Sequence, residues 1–380
     1  MKTSPLVHCL VLLAGLLLPL MTWGQAPLPD VEITSLAQNG QLTFTTLPGY
    51  TNYVVEWAPT VSGPWSGSWE GLHVTEPSAG EVTVAVPMFY RVVARGTPIK
   101  VPEGMGYVPA GEFLMGDAQG LAASAVPVHS VRLGAFLIER FEVTRELWDE
   151  VYAWGLTHGY QWEHPGSGAG SHHPVTEINW HDAVKWCNAR SEKEGLTPAY
   201  YTDSTRTIVF RTGVEELTNA CVDWAGVGYR LPTEAEWERA ARGGLEGNHF
   251  AWPGSEGEYW RHILGTLANF WNSGDPYDNG TTPVGFYNGT QAVGGVDVKN
   301  VFGLYDMSGN VAELCWDRMG PYSDTAETAP RGPDLGDQRI VRGGSWYDEP
   351  DRLRLASRQP FYPHHAPPNV GLRCVRTTER

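Results

Sequence analysis

The stretch GYRLPTEAEWE, at residues 228–238, contains the clearest local structural signal of the chain. Thr233 precedes Glu236 by three residues, which is the spacing of a capping box at the start of a helix. Gly243 follows the run of helix-forming residues and ends the predicted helix after Arg242, because glycine adopts left-handed backbone angles without strain. The stretch therefore predicts one short helix with a loop on each side.

Outward from this helix, regular structure becomes sparse. Thr144 and Asn179 are predicted N-caps of two more helices, since apolar residues follow each of them at helical spacing. The chain contains 44 Gly, 28 Pro and 16 Trp, a composition typical of long loops with indole rings filling the interior. A domain this rich in loops needs something other than backbone ladders to hold it together.

The charge balance excludes one class of partner. The formal net charge is -16, whereas nucleic-acid binding requires basic patches that neutralise phosphates. Acidic side chains also suit cations with oxygen ligands, although a solvated acidic surface explains most of these carboxylates equally well. We therefore expect no nucleic-acid partner.

The first 24 residues are typical of a secretory signal peptide. Lys2 precedes an apolar run at residues 6–20, and Gly24 marks the expected cleavage point. An uncleaved membrane anchor is the alternative, but the apolar run is short for a span. Because no second apolar run of spanning length follows, we expect a secreted or periplasmic protein that does not span a membrane once processed.

Residues 26–98 differ from the rest of the chain. Short alternating stretches at residues 53–57, 82–84 and 89–93 are separated by turn residues. Several short strands at this spacing predict a small β-sandwich, and the pattern resembles fibronectin-like modules. Residues 97–102 are the expected linker to the following domain.

Six sequence blocks occur in a fixed order over about residues 104–377. They are YVPAGEFLMG at 107–116, PVTEINW at 174–180, GYRLPTEAEWE at 228–238, GLYDMSGNVAE at 303–313, VRGGSW at 341–346 and GLRC at 371–374. In this combination the chain resembles the formylglycine-generating (sulfatase-modifying factor) family. The resemblance implies an α+β, C-type-lectin-like fold with little regular secondary structure, preceded here by the small β-sandwich.

The resemblance also implies bound calcium. A family calcium loop matches Asp306 and Glu313, together with the carbonyls of Gly309 and Val311. Carboxylates mixed with carbonyls are the hard oxygen ligands that Ca²⁺ prefers. A structural cation would tie irregular loops together; the alternative is that the two carboxylates only cap turns.

A second family calcium site matches another loop of this chain. Its ligands would be the side chains of Asn269 and Asp275 and the carbonyls of Phe270 and Tyr277, with Asn279 as an inserted residue. As at the first site, the expected role of the cation is structural.

Four cysteines follow the signal peptide, and export into an oxidising compartment favours disulfides. Cys187 and Cys374 match positions that are paired in the family, so the resemblance implies a bridge between them. Cys221 and Cys315 remain; they either pair with each other or stay buried as free thiols.

The family's catalytic cysteines have no counterpart here. Enzymes of the family oxidise a sulfatase cysteine to formylglycine, using oxygen and a copper(I) ion that two thiolates hold shortly after the Gly-Gly-Ser block. Residues 346–358, WYDEPDRLRLASR, contain no cysteine and offer carboxylates instead. Copper(I) is soft and selects thiolates, so neither copper nor oxidase activity is expected.

In the family, the same segment lines the substrate groove. The matching residues combine aromatic, acidic and arginine side chains, which are favoured at recognition surfaces. They are Ser345, Trp346, Tyr347, Asp348, Arg352 and Arg358. A crowded, Trp-rich core is the alternative explanation for the aromatic residues.

The leading interpretation is an exported, calcium-stabilised binding or scaffold protein without catalysis. Its ligand would be a peptide, a protein or a glycan. The alternative is a divergent copper-dependent formylglycine-generating oxidase that acts on sulfatase cysteines. The fold alone does not determine which of these functions is correct. Copper(I) uptake would distinguish the oxidase from the non-catalytic binding protein.

Overall fold

The computed structural model describes residues 33–36, 42–45, 52–58, 89–95, 99–252, 263–291 and 295–378. Two compact units divide the chain, Met1–Gly96 and Thr97–Arg380. The predicted signal peptide at residues 1–24 lies outside the described residues.

The first unit consists, where it is described, of short antiparallel pairs. Its strands are β1 (Ile33–Leu36), β2 (Leu42–Phe44), β3 (Asn52–Ala58) and β4 (Phe89–Arg95). β1 pairs with β2, and β3 pairs with β4 along its full length. The predicted strands at residues 53–57 and 89–93 are thus present, while the one predicted at residues 82–84 lies outside the described residues. The complete β-sandwich stays a prediction.

The second unit is an α+β domain, as predicted, in which short elements alternate with long loops. Its strands are β5 (Met105–Val108), β6 (Gly111–Met115), β7 (His129–Leu133), β8 (Phe136–Glu139), β9 (Ala312–Arg318), β10 (Glu327–Thr328), β11 (Arg339–Arg342), β12 (Gln359–Phe361), β13 (Val370–Gly371) and β14 (Val375–Thr377). Its helices are α1 (Arg145–Leu156), α2 (Trp180–Lys193) and α3 (Glu234–Arg242).

Each helix begins at the residue that the sequence predicts. The side-chain oxygens of Thr144 and Asn179 accept backbone amides in the first turns of α1 and α2. The complete capping box is present between Thr233 and Glu236 at the start of α3. α3 ends at Gly243, whose φ of 55° is left-handed. These caps satisfy amides that have no partner inside a helix.

Three short sheets hold the described part of the second unit, with strand orders β12-β11-β9-β13, β14-β8-β5 and β10-β7-β6. β9 lies between an antiparallel neighbour, β11, and a parallel neighbour, β13. Every residue of β9 is buried. The strand therefore carries Glu313, from the predicted calcium loop, and Asp317 into the interior.

Indole rings fill much of the core, as the composition predicts. Trp148, Trp180, Trp186, Trp237 and Trp316 are all fully buried or nearly so. Trp148 of α1 stacks on Trp186 of α2, with ring centroids 5.4 Å apart. Large aromatic side chains bury much apolar area each, so a few of them fill space that short elements leave open.

Buried ion pairs hold the irregular segments to the sheets. Arg342 of β11 contacts Glu238 of α3, and neither side chain is exposed. Arg373 contacts Glu313 with a 2.7 Å distance between Nη2 and Oε1. Buried pairs offset their desolvation only when additional hydrogen bonds satisfy both partners, and both guanidinium groups also donate to backbone carbonyls. These contacts provide part of the support that the loops need.

Candidate functional site

The chain turns sharply after β11. Gly343 and Gly344 have φ angles of 88° and 66°, a left-handed conformation that glycine adopts without steric cost. A Cβ atom at Gly344 would lie 2.8 Å from the side chain of Leu353, so this position has no room for a side chain. The turn directs Ser345 into the interior and returns the next residues to the surface.

Ser345 is fully buried and connects two loops. Its Oγ donates to Oδ2 of Asp348 at 2.5 Å and accepts the side-chain amide of Asn369 at 3.0 Å. The backbone amide of Tyr347 also donates to Oγ, at 3.3 Å. A hydroxyl engaged in three hydrogen bonds and shielded from solvent is poorly placed for nucleophilic attack. Ser345 therefore supports the loop that carries Asp348.

Aromatic rings cover the outside of this loop. Tyr347 is 65% exposed and Trp271 is 50% exposed, and the amide of Trp271 donates to the carbonyl of Asp348 at 3.0 Å. Trp346 packs edge-on against Tyr347, with ring centroids 5.4 Å apart. Arg352 lies beside them, with 3.8 Å between its Nε and Oδ1 of Asp348. We call Trp271, Trp346, Tyr347 and Arg352 the aromatic face.

The side chain of Arg358 points away from the aromatic face and toward α3. Its guanidinium is buried and forms two hydrogen bonds, of 2.6 and 2.7 Å, with the carboxylate of Glu234 at the start of α3. It also stacks over the ring of Tyr322 at 3.9 Å. The structure thus brings the other predicted groove residues together and places Arg358 in the wall of a different cavity.

The predicted calcium loop before β9 brings buried carboxylates together. Asp306 and Asn310 have left-handed φ angles of 58° and 62°, which Asp and Asn tolerate better than most residues. Oδ2 of Asp306 accepts the amide of Gly285 at 2.6 Å. Glu142 accepts the side-chain amide of Asn310 at 2.6 Å and the backbone amide of Val311 at 3.1 Å.

The three buried carboxyl groups at this loop, those of Glu142, Asp306 and Glu313, differ in how well nearby groups compensate their negative charge. Burial, with the charge of Glu313, raises the pKa of Asp306 to about 6. Burial and the charges of Asp306 and Glu313 raise the pKa of Glu142 well above its usual range. Glu313 itself is paired, because its carboxylate accepts Arg373 at 2.7 Å and the indole N–H of Trp237 at 2.8 Å. Glu142 and Asp306 are therefore the carboxylates that an added cation would stabilise most.

The second predicted calcium loop contains an unsatisfied oxygen. Oδ1 of Asn269 is buried and has no hydrogen-bond partner among the described residues, while its Nδ2 donates to the carbonyl of Gly280 at 2.9 Å. Asp275 accepts the amide of Tyr277 at 2.6 Å. The carbonyls of Phe270 and Tyr277 each accept one turn hydrogen bond and keep a second lone pair. An unsatisfied buried acceptor is costly, and a cation at this position would satisfy it.

The two loops are in direct contact. The carbonyl of Asn269 accepts the amide of Asn310 at 2.9 Å, and a Cβ atom at Gly309 would lie 2.2 Å from that carbonyl. Among the described residues, no three His, Cys, Asp or Glu side chains converge as a metal site, so calcium here would depend on amide and carbonyl oxygens. Asn269 and Asp306 fit such a cation, whereas the carboxylate of Glu313 is already engaged.

The cysteines in the described part of the chain are all buried and free. The sulfur atoms of Cys187 and Cys374 lie 3.7 Å apart, so the structure brings the predicted pair together; the bond itself stays a prediction. Cys221 and Cys315 contact different groups. Burial raises the pKa of Cys315 well above that of a free thiol, which disfavours a reactive thiolate.

Sequence reasoning missed Glu142, Trp271 and Asn369. Trp271 directly follows one predicted calcium ligand, and Asn369 comes two residues before the last family block, so nearness to a recognised block was the available signal. Their contacts, however, join distant parts of the chain: Glu142 and Asn310 are 168 residues apart in sequence. Local patterns carry no information about such pairings.

Comparison with known proteins identifies relatives of this chain. The model of the "sulfatase-modifying factor enzyme 1-like domain" matches residues 93–378. The formylglycine-generating enzyme of Streptomyces coelicolor is 33% identical over 303 residues, which cover 73% of this chain and 90% of that protein. The chaperone protein LppX of Paenibacillus barcinonensis is 31% identical over 272 residues, covering 69% and 87%. The inactive C-alpha-formylglycine-generating enzyme 2 of Mus musculus is 31% identical over 298 residues, covering 73% and 86%.

Solved structures have the same fold. Treponema denticola variable protein 1 has a TM-score of 0.56 at 28% sequence identity, covering 72% of this chain and 94% of that one. CarF has a TM-score of 0.52 at 28% identity, covering 74% and 99%. These matches confirm the predicted fold class. Because the family model spans most of the chain and the relatives match along most of their own length, the chain belongs to the sulfatase-modifying factor family, whose members include the formylglycine-generating enzymes.

Proposed function

We propose that this protein is an exported binding or scaffold module that has no oxidase activity and whose loops are stabilised by calcium. The observation that carries the proposal is the aromatic face. After the Gly-Gly-Ser turn, the hydroxyl of Ser345 donates a hydrogen bond to the carboxylate of Asp348. The rings of Tyr347 and of the neighbouring Trp271 are exposed to solvent. A loop built in this way supports recognition rather than metal chemistry.

Oxygen activation by the family's route would need two thiolates for copper(I). Residues 346–358 contain no cysteine, and the carboxylate of Asp348 is engaged by Ser345. The described cysteines are all buried. The residues on the aromatic face therefore do not fit copper(I), and no step of the proposed function uses it.

The names of two relatives favour binding over oxidation. One is called a chaperone, and another is called inactive, so membership of the family does not by itself imply turnover. The relatives that are called formylglycine-generating enzymes keep a divergent oxidase as the alternative function of this chain.

Exposed aromatic rings beside an arginine suit a peptide, a protein or a glycan. Rings of this kind supply flat apolar area at low cost in conformational entropy, and Tyr, Trp and Arg dominate measured binding hot spots. Arg352 donates to the side chain of Gln359 at 2.8 Å, which orients its guanidinium next to the rings. These features support a ligand that combines apolar and polar groups.

Peptide and glycan arrays test this proposal. We expect the purified protein to bind a defined subset of probes, and Tyr347→Ala or Trp271→Ala to weaken that binding about tenfold or more, since both rings would lie at the contact. Leu335→Ala is the matched control, because Leu335 is 84% exposed and lies outside the aromatic face. Failure to bind any probe, or equal binding by all variants, would contradict the proposal.

Calcium has a structural part in this proposal. The side chain of Asp306, with the carbonyls of Gly309 and Val311, would hold one cation beside the buried carboxylates. The side chains of Asn269 and Asp275, with the carbonyls of Phe270 and Tyr277, would hold a second cation. It would also satisfy the free oxygen of Asn269. Tying two contacting loops together in this way stabilises backbone that forms no ladder.

Export is the part of the proposal that depends on residues 1–24. Their pattern of a lysine, an apolar run and a small residue supports secretion. In the described parts of the chain, none of the helices has the length and apolar character that crossing a bilayer requires.

A further inference from the structure

A small cavity is lined by the turn that joins β7 to β8 and by the first turn of α3. Its volume is about 170 Å³, whereas sites for drug-sized ligands measure about 300–1,000 Å³. Gly134 and Ala329 are exposed and line the cavity, so it opens to solvent. The aromatic face contributes none of the lining. The cavity is therefore a separate feature of the domain, with room for a small group only.

Two arginine side chains pack on the ring of Trp224 at this cavity. The indole N–H of Trp224 donates to the carbonyl of Asn219 at 2.9 Å, and the ring packs edge-on against Trp316, so the ring is held in place. The guanidinium carbon of Arg230 lies 5.3 Å from the ring centroid, and that of Arg331 lies 4.4 Å from it. Trp224 and both arginines line the cavity. Two positive charges thus share one aromatic ring.

The charge of Arg230 is already compensated. Arg230 is 4% exposed, and its two terminal nitrogens donate to the carboxylate of Glu236 at 2.6 and 2.7 Å. One donor stays unused, since Nε of Arg230 is buried and has no hydrogen-bond partner among the described residues. Because Arg230 and Glu236 neutralise each other, this pair does not compensate any other charge in the cavity.

The charge of Arg331 has no such partner. Its half-buried guanidinium forms neither an ion pair nor a hydrogen bond within the part of the chain that the structure describes. Burial and the positive charge of Arg230 lower the pKa of Arg331, while the charge of Glu236 acts in the opposite direction. Arginine nevertheless titrates far above neutral pH, so Arg331 stays charged. Since Arg230, Glu236 and Arg331 are the charged residues of the lining, one positive charge remains uncompensated.

We propose that this cavity binds a small carboxylate anion, which accepts hydrogen bonds from the guanidinium of Arg331. One negative charge matches the uncompensated positive charge, and a planar carboxylate matches the fork of N–H donors on a guanidinium. A phosphate dianion fits less well, because Glu236 acts electrostatically on the same guanidinium and would repel a second negative charge. A neutral ligand would leave the charge of Arg331 without a partner.

Isothermal titration calorimetry with sodium acetate tests this site, with sodium chloride keeping the ionic strength constant. We expect acetate to bind and acetamide, its neutral counterpart of the same shape, to bind at least about tenfold more weakly. Arg331→Gln should reduce the affinity for acetate by about tenfold or more. Arg331→Lys should retain part of the affinity, because lysine keeps the charge but lacks the planar fork.

Arg145→Gln is the matched control. Arg145 is a partly exposed arginine of α1 that already has an ion-pair partner, Asp149, and it does not line the cavity. This variant should bind acetate as the wild type does. Melting temperatures of all variants establish which of them are folded.

Four results would overturn the proposal. They are no heat of binding with acetate beyond that with chloride, equal affinity for acetamide and acetate, tighter binding of phosphate than of acetate, and unchanged affinity in Arg331→Gln. The comparison of acetate with acetamide uses the wild-type protein, so it stays decisive even if a variant does not fold.

Discussion

Glu234 of α3 and Asp317 of β9 occupy very different electrostatic environments. Glu234 accepts two hydrogen bonds from Arg358, whereas Asp317 accepts one backbone amide. Burial, together with the charge of Glu234, raises the pKa of Asp317 to about 8. A carboxyl next to a carboxylate keeps its proton when no cation compensates it. Asp317 is therefore largely protonated at neutral pH.

We predict that Asp317→Asn becomes more stable relative to the wild type as pH rises from about 5 to 8. The pKa of Asp317 rises on folding from 3.8 to about 8, so the folded state binds more protons than the unfolded state across that range. The stability of the wild type then falls with rising pH, by at most about 1.4 kcal/mol per pH unit from this group. Asparagine keeps the hydrogen bond and has no proton to lose. Urea unfolding at several pH values measures the difference.

A difference in stability that stays constant between pH 5 and pH 8 would refute this prediction. Asp149→Asn serves as its control, since Asp149 lies on the surface of α1 and should show no such trend.

At single residues, the sequence predicts the type of chemistry better than the partner. It places Ser345 and Asp348 in one groove segment, and the structure shows a hydrogen bond between their side chains. It does not predict that Arg358 turns toward Glu234, or that Arg373 engages Glu313. Those directions depend on how loops cross in three dimensions.

Among the elements, helices were predictable and strands of the second unit were not. The capping box joins Thr233 and Glu236, which are three positions apart, so a short stretch of sequence is enough to predict it. β9, AELCWDR, is buried on both faces and lacks the alternation that marks a half-buried strand. β13 has two residues and pairs with β9 across a long loop. Pairings of this kind leave no periodic pattern.

The next prediction concerns the two contacting loops for which we propose bound calcium. Removing calcium with a chelator should lower the melting temperature, because a cation that binds only the folded state stabilises it by about 2.7 kcal/mol at a hundredfold excess over its Kd. Asn269→Ala should reduce the difference between calcium and chelator, since it deletes the oxygen that lacks a partner. Differential scanning fluorimetry measures both effects.

For the calcium prediction, Asp203→Asn is a matched control because Asp203 is an acidic residue of an exposed loop elsewhere. It should respond to calcium as the wild type does. Identical melting curves with calcium and after prolonged incubation with the chelator would show that the loops do not need a cation.

Over the whole molecule, Cys187 of α2 and Cys374 near the end of the chain lie side by side. They are 187 positions apart in sequence, and their sulfur atoms lie 3.7 Å apart. We predict a disulfide, which would stabilise by up to about 4–5 kcal/mol through the loop it closes. Peptide mapping without reduction should recover the linked pair, and Cys187→Ser should lower the melting temperature more than Cys221→Ser. Alkylation of both cysteines in denatured, unreduced protein would exclude the bond.

The fold of the second unit follows from six sequence blocks, because these blocks contain residues that cap a helix and tighten a turn, such as Thr233, Gly343 and Gly344. The function is harder to derive, since the same fold supports proteins named as enzymes, as a chaperone and as an inactive relative. In this chain the surface after the Gly-Gly-Ser turn carries Trp346, Tyr347 and Asp348, and residues 346–358 contain no cysteine. We therefore expect the side chains of this surface to decide between oxidation and binding.

The last prediction is that the protein does not convert cysteine to formylglycine. Copper(I) needs soft ligands, and the loop that would hold it offers the carboxylate of Asp348, which already accepts a hydrogen bond from Ser345 at 2.5 Å. A peptide with a sulfatase-type Cys-x-Pro-x-Arg motif, incubated with copper-loaded protein and oxygen, should keep its sulfur when analysed by mass spectrometry. Aldehyde formation above the level with copper alone would establish an oxidase with a different ligand set. Asp348→Cys should stay inactive as well, because one thiolate does not replace a pair and Ser345 would lose its acceptor.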